Sequence, residues 1–411
     1  MRKSFVTAFM FAAFFGAVVL CSCKGGTQSG DVMQISESDI ISLDGTFDDN
    51  FLESWEYVIL EESPEAAIGS VERIRYDDGL FFVHCNMGNE TTIKVFDRSG
   101  RYLNNIGRIG RARNEYLNLD HWDVDLYRNE VLVLNGDGFE GTTRIRRYDY
   151  QGNFLGVTDL DTIGREFVTV NGFVKCLSDG SFLMNDLMHT FPTHDYFILH
   201  PDGHAVALFD LPEYYMLEVP VDFEDILSGN TNRGEKMTMG TMLLCGDSDM
   251  SSDTTYLMRR LDNRIYRVFG DKAEPVAQLS FMPTPPDKYK KGFHLSLDDE
   301  IIMHKYTADG LVDMKHRVSI GYNQTCYFLD KASCKMYKVD PDTVNASFPA
   351  ITCQSIMGND VIGVVIEPFI DEALKRIESK DYDHCYKPDV EEFYRKVRNC
   401  QNPVIVIGHY K

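Results

Sequence analysis

Two turn markers recur along this chain at a period of about fifty residues, and a period of that length leaves few folds open. The first marker joins two short apolar–polar alternating segments and falls at Gly79, Asn129 and Gly180, spaced by 50 and 51 residues. The second is a four-residue turn ending in glycine: Asp97-Arg98-Ser99-Gly100, Asp149-Tyr150-Gln151-Gly152 and His200-Pro201-Asp202-Gly203. Its glycines are spaced by 52 and 51 residues. Asp bonds its own backbone in such turns and Gly accepts a positive φ. Each period thus holds four short strands joined by tight turns, a four-stranded antiparallel meander. Solenoid repeats are shorter, so this period matches propeller blades.

After residue 210 the markers fade, but three hairpins keep the pattern. They centre on Leu261-Asp262-Asn263, on Asp330 to Ser333 and on Met357 to Asp360. Three full and three degenerate units give an all-β, six-bladed propeller over residues 53–411. Stretches 211–254 and 283–317 read as insertions on one rim, the second entered at Pro283-Thr284-Pro285-Pro286. Residues 368–400 switch to helical spacing. Pro368 and Pro388 each open a helix, with Phe369, Leu374 and Ile377 on one apolar side and Val390, Phe393, Tyr394 and Val397 on the other. An open ring would leave sheet edges unpaired. The segments Trp55–Glu61 and Pro403–His409 are therefore expected to share the sixth blade.

The first residues belong to targeting and not to the fold. Arg2 and Lys3 precede an uncharged apolar run from Phe5 to Leu20, which ends at Leu20-Cys21-Ser22-Cys23. Leu at −3 and Ser at −1 form a lipobox-like site. The expectation is a signal peptide at 1–22, acylation of Cys23, and a flexible tether over 23–52. The apolar run is short for a membrane span, where about twenty residues are needed. The formal charge is −22 from 41 basic and 63 acidic residues. Such a surface repels phosphate backbones and argues against nucleic acid as a partner. No acidic run follows Cys23, which favours the periplasmic face of the outer membrane. None of the cysteines beyond Cys23 stands in a C-x-x-C spacing, so buried thiols are expected, with no redox motif or zinc ribbon.

Several of these stretches together resemble a known family. They are Ile68-Gly69-Ser70 leading to Asp77-Asp78-Gly79, Val95-Phe96-Asp97-Arg98-Ser99-Gly100, Gly107-Arg108-Ile109-Gly110 with Glu115-Tyr116, and the ending Asn402-Pro403-Val404-Ile405-Val406. They resemble the six-bladed β-propeller lipoproteins of Gram-negative gut anaerobes, related to the NHL-repeat propellers. The resemblance covers about residues 55–411. It implies the propeller fold and carries no reaction, hence no catalytic residues. The family's usual Gly-Pro-Gly before Glu-Tyr is replaced here by Arg111-Ala112-Arg113-Asn114.

The chemical motifs are sparse. Gly107-x-x-Gly110 with Arg108, Arg111 and Arg113 invites a phosphate reading, but no helix follows to complete a phosphate loop. It reads as a link between blades, whose arginines are candidate contacts for an anion such as a uronic acid or a sulfated sugar. The pairs His189/His194 and His200/His204 lack a third ligand at a diagnostic spacing. Gly136 to Gly141 lacks the acidic alternation of an EF-hand. No nucleophile elbow is present. No metal, cofactor or catalytic residue is assigned. The expected function is a membrane-anchored module that binds a protein or a glycan. The alternative is a propeller enzyme, a metal-dependent lactonase or a glycan-cleaving enzyme. It would require three or more Asp, Asn, Glu or His side chains around one point of the central channel.

Overall fold

The computed structural model describes residues 32–88, 90–119, 121–136, 143–159, 172–185, 196–209, 216–220, 236–240, 248–258, 263–283, 310–323, 325–339, 345–379 and 385–411. Cys23 and the signal segment lie outside them, as do His189, His194 and most of the Gly136–Gly141 loop.

Six small sheets stand around one axis. Blade 1 is Ser70–Asp77, Leu80–Met87, Glu90–Asp97 and Tyr102–Ile106, in order from the axis outward. Blade 2 is His121–Asp125, Glu130–Gly136, Thr143–Asp149 and Phe154–Asp159. Blade 3 is Gly172–Cys176, Phe182–Asn185, Tyr196–Leu199 and Ala205–Ala207. Blade 4 holds Thr255–Met258, Arg264–Phe269 and Lys272–Leu279, and blade 5 holds Gly310–Asp313, Arg317–Tyr322, Thr325–Asp330 and Met336–Val339. Blade 6 is Thr352–Met357, Asp360–Val365, Val404–Tyr410 and, outermost, Leu52–Ile59. This last pairing runs antiparallel from Val404↔Ile59 to Tyr410↔Leu52 and closes the ring with chain from both ends, as the sequence led us to expect.

The residues before this closing strand differ from the expected tether. Met33–Ile35 pairs in parallel with Ala277–Leu279 on the outer edge of blade 4, and Ile40–Leu43 pairs in parallel with Met336–Val339 on the outer edge of blade 5. A short helix, Phe47–Phe51, follows, capped by Thr46, and leads into the closing strand. Residues 33–59 thus form a belt across the outside of three consecutive blades. The sequence did not show it because strands of three and four residues are too short to display a period. Ile35 anchors the belt, 3% exposed within the core of blades 4 and 5.

The expected insertions also prove narrower. Gly310–Asp313 is the innermost strand of blade 5, and Ser248–Asp253 turns into the axis instead of the rim. Ahead of Ser248, Met216–Pro220 and Lys236–Gly240 pair antiparallel, and residues 284–309 lie outside the described set.

Apolar clusters fill the spaces between neighbouring sheets, as alternating strands stacked face to face require. Phe82, Val95, Trp122 and Val133 pack between blades 1 and 2, while Ile74, Phe81, Ile362 and Ile405 pack between blades 6 and 1. The two late helices are Glu367–Ser379 and Pro388–Lys396. They place Ile370, Leu374, Val390 and Phe393 against Val365, Val404 and Val406 of blade 6. Phe369, expected on the apolar side, is exposed. The stripe runs instead through Ile370, Ala373 and Leu374, one residue on.

The glycines that mark the repeat have a second duty beyond φ. Gly100 and Gly152 have φ of +85° and +83°. A Cβ on Gly100 would stand 2.1 Å from the Ile59 carbonyl oxygen of blade 6, and one on Gly152 would stand 2.3 Å from that of Asn105 in blade 1. Each turn seats its blade on the outer strand of the blade before it. Gly152→Ala is therefore expected to destabilise by about 2–4 kcal/mol, combining the left-handed cost with displaced backbone. Gly79→Ala, with φ +76° and nothing within 4 Å of the new carbon, should cost only the backbone part, about 1–2 kcal/mol. Urea unfolding midpoints of the two variants check this difference.

Candidate functional site

The axis is where the enzyme alternative would need its residues. It is lined by the innermost strands, whose inward side chains alternate along the chain. Arg75, on blade 1, donates from Nε to Asp123 Oδ1 of blade 2 at 2.8 Å and from Nη1 to the Gln354 carbonyl of blade 6 at 2.9 Å. Arg73 lies above, with Nη2 at 3.5 Å from Asp123 Oδ2 and Nη1 donating to the Trp122 carbonyl. Asp123 and Arg75 are 3% and 6% exposed. Lys175 of blade 3 donates from Nζ to the Asp249 carbonyl at 2.6 Å and to Thr255 Oγ1 at 3.2 Å. Burial holds the Lys175 ammonium below the usual lysine range, with Asp313 and Asp249 opposing. Asp313, fully buried, meets Lys331 Nζ at 2.6 Å and accepts the Tyr256 N–H.

The end of the axis at which each innermost strand turns into its second strand is filled by Ser248–Asp253. Ser248 and Asp249 bridge in parallel to Asp313 and Ile356, on blades 5 and 6. Asp249 Oδ1 accepts from Ser251 N–H and Gly358 N–H. Asp253 accepts from Ser178 N–H of blade 3 and from Tyr127 Oη of blade 2. One short segment therefore ties four blades. Among the described residues no three His, Cys, Asp or Glu side chains gather as a metal-holding group. His200 and His204 stack ring on ring at 5.9 Å, and His200 Nε2 pairs with Asp271 Oδ1.

The loop carrying Arg108, Arg111 and Arg113 is a latch between blades 1 and 2. Gly110 N–H donates to the Tyr116 carbonyl and Tyr116 N–H to that of Arg108. Tyr116 Oη donates to the Ile106 carbonyl, and Tyr148 Oη of blade 2 to that of Asn114. A Cβ on Gly107 would stand 2.9 Å from both the Tyr116 and Tyr148 rings, and one on Gly110 would overlap the Glu115 carboxylate. Both glycines are thus needed for packing. Arg108 donates from Nε to Glu115 Oε1 at 2.6 Å. Arg111 and Arg113 are exposed, with no ion pair among the described residues. Of the three guanidinium groups the first is held by Glu115 and the other two are exposed. Glu115, whose role the sequence left unassigned, is the centre of the loop. The Ala112 N–H and the Arg108 guanidinium hold its carboxyl below the usual range. A depressed carboxyl stabilises the fold above its unfolded pKa and loses that contribution as pH falls through the folded value. The melting-temperature advantage of wild type over Glu115→Gln should therefore be full at neutral pH and vanish under acid conditions below the ordinary carboxylate range.

The chain is similar to the following known proteins. The family described as Domain of unknown function (DUF4934) matches residues 40–409. Among solved structures, a Bacteroides fragilis protein described as a "putative exported protein" is similar over 93% of this chain and 100% of its own, at 13% identity and a TM-score of 0.58. The β-propeller domain of the Trilobed protease from Pyrococcus furiosus aligns with 72% of this chain and 91% of its own, at 12% identity and a TM-score of 0.33. A luciferin-regenerating enzyme aligns with 86% of this chain and 95% of its own, at 9% identity and a TM-score of 0.37. No match was found among curated proteins.

Proposed function

Because the chain belongs to the DUF4934 family and folds as a six-bladed propeller, we propose that it is a binding module of the cell envelope, held to the membrane by a lipid on Cys23, whose rim engages a protein or a glycan. The observation that carries this reading is the state of the axis. Its buried charges are each partnered, Arg75 by Asp123 of blade 2 and the Gln354 carbonyl of blade 6, Lys175 by the Asp249 carbonyl and Thr255, and Asp313 by Lys331 within blade 5, so the place where propeller enzymes gather reactive groups is taken up here by structural contacts. Rigid blades with chemistry displaced to connecting loops suit recognition. The resemblance in fold to an exported protein supports the envelope location.

Arg111 and Arg113 are the contacts we assign to an anionic partner, either an acidic sugar or an acidic protein segment. The test is binding of the purified chain to an array of neutral, uronic and sulfated glycans and to envelope extract. Anionic glycans should be retained, and Arg111→Glu/Arg113→Glu should abolish retention, since both groups are exposed and their replacement leaves the core intact. Cys23→Ala should release the chain from membranes. Retention of neutral glycans alone, or turnover of any glycan or lactone, would overturn the reading.

A further inference from the structure

A cleft of about 660 Å³ opens on the outer edge of blade 6, away from the axis and from the arginine loop. It is lined by the capped helix Phe47–Phe51, the closing strand Leu52–Ile59 and the helix Pro388–Lys396. Those three elements contribute six carboxylates: Asp48, Asp49, Glu53, Glu56, Asp389 and Glu392. Four of them are partnered by the protein: Asp49 by Lys387 at 3.1 Å, Glu56 by Arg98 and His409, Asp48 by the Tyr410 hydroxyl and Asp389 by the Trp55 indole. The cleft also has an aromatic wall. Phe393 meets Trp55 edge-on at 5.5 Å and Tyr57 at 5.0 Å, and Trp55 Nε1 donates to Asp389 Oδ2, which fixes the indole against the helix. Tyr57 already carries a cation of the chain's own: Lys396 Nζ lies 5.3 Å from the centre of its ring.

Aromatic faces and carboxylates in one cleft select organic cations, the rings taking methylene and ammonium groups and the carboxylates taking N–H donors. An anion or an apolar ligand has nothing here to offset the charge. The carboxylates are spread over three elements and do not gather at metal-holding distances, which disfavours a compact divalent ion. A single ammonium would answer only one of Glu53 and Glu392, the two that make no ion pair or hydrogen bond among the described residues. The volume lies in the range of small-molecule sites. We propose that this cleft binds a linear aliphatic polyamine, its ammonium groups on the carboxylates and its methylene chain across Trp55 and Tyr57.

Isothermal titration of the purified chain with spermidine tests this, alongside choline, magnesium and a lysine-rich peptide. Spermidine should bind saturably at one site, quench the fluorescence of Trp55 and weaken as salt is raised. Glu53 and Glu392 are exposed, so Glu53→Gln/Glu392→Gln should fold normally and lose affinity on the order of tenfold, as removal of two modest ion pairs implies. Trp55→Leu should remove the quench and weaken binding further. No saturable spermidine binding, unchanged affinity in the double glutamine variant, or equal or tighter binding of choline, magnesium or the peptide would overturn the proposal. The anionic-glycan reading rests on other residues, so either proposal can fail alone.

Discussion

Arg75→Leu is expected to destabilise the propeller by about 3–5 kcal/mol, the penalty of leaving a buried charge without its partner. Asp123 has two arginines on its charge, and the buried one, Arg75, is the closer, at 2.8 Å against 3.5 Å for the partly exposed Arg73. Arg75 also holds the Gln354 carbonyl, so its loss unties blade 1 from blades 2 and 6 at once. The pair is not itself the source of the stability. Replacing both members by apolar groups of similar volume removes the unmatched charge, and Arg75→Leu/Asp123→Leu should recover most of the loss. Arg75→Lys should fall between, because an ammonium cannot span the two acceptors as a planar fork does. Burial pushes the Asp123 carboxyl up and Arg75 opposes that push. With Arg75 gone the folded pKa rises further above the unfolded value. The penalty is then full where Asp123 must stay ionised and shrinks as it takes up a proton, so the single variant should be closer to wild type in mild acid than at alkaline pH. Urea unfolding at several pH values reads all of these. Equal losses in the single and double variants would mean that the axis is held by packing alone.

The second large effect concerns the belt. Deleting 33–43 removes both belt strands, exposes the core face that Ile35 covers and bares the outer edges of blades 4 and 5. One deeply buried aliphatic side chain and two short ladders are worth about 3–6 kcal/mol together. The ring should survive this, with a lower unfolding midpoint and an unchanged far-ultraviolet spectrum in the strand region. Deleting through Ile59 is a different event. It strips the outer strand from Val404–Tyr410, removes Val58 from the core shared by blades 6 and 1, and opens the ring. That variant should be recovered as aggregate, since an unpaired apolar edge recruits other chains. Near-equal stability of the two truncations would show that the ring does not depend on its closing strand.

How much of this was legible follows from what repeats. Gly79, Asn129 and Gly180, and Gly100, Gly152 and Gly203, all have positive φ. A tight turn demands such residues wherever it recurs, so blade number and phase were open to reading. The closing strand was readable from the need to pair an edge. Blade 4 was not readable in full. The residues before it, Ser248–Asp253, pair in parallel with blades 5 and 6, and parallel partners distant in sequence leave no local periodicity. The cleft beside Trp55 was invisible for a similar reason. Its carboxylates come from residues 48–56 and 389–392, more than three hundred positions apart, and neither stretch shows a motif on its own element. The arginine loop was readable as an inter-blade link. The part of Glu115 in bracing it was not, because that depends on backbone N–H groups folding back on the side chain.

The belt also sets the order in which the molecule yields to force. A pull on the chain ahead of Met33 does not reach the closing strand first. It must peel a three-residue register from blade 4, then a four-residue register from blade 5, before it loads the seven pairs that seal blade 6. Short parallel ladders open one at a time and re-form when the load is removed, while the seal stays shut. Residues 33–43 act as a fuse in series with the ring, so a jolt at that end is absorbed as slack in the belt and leaves the propeller round.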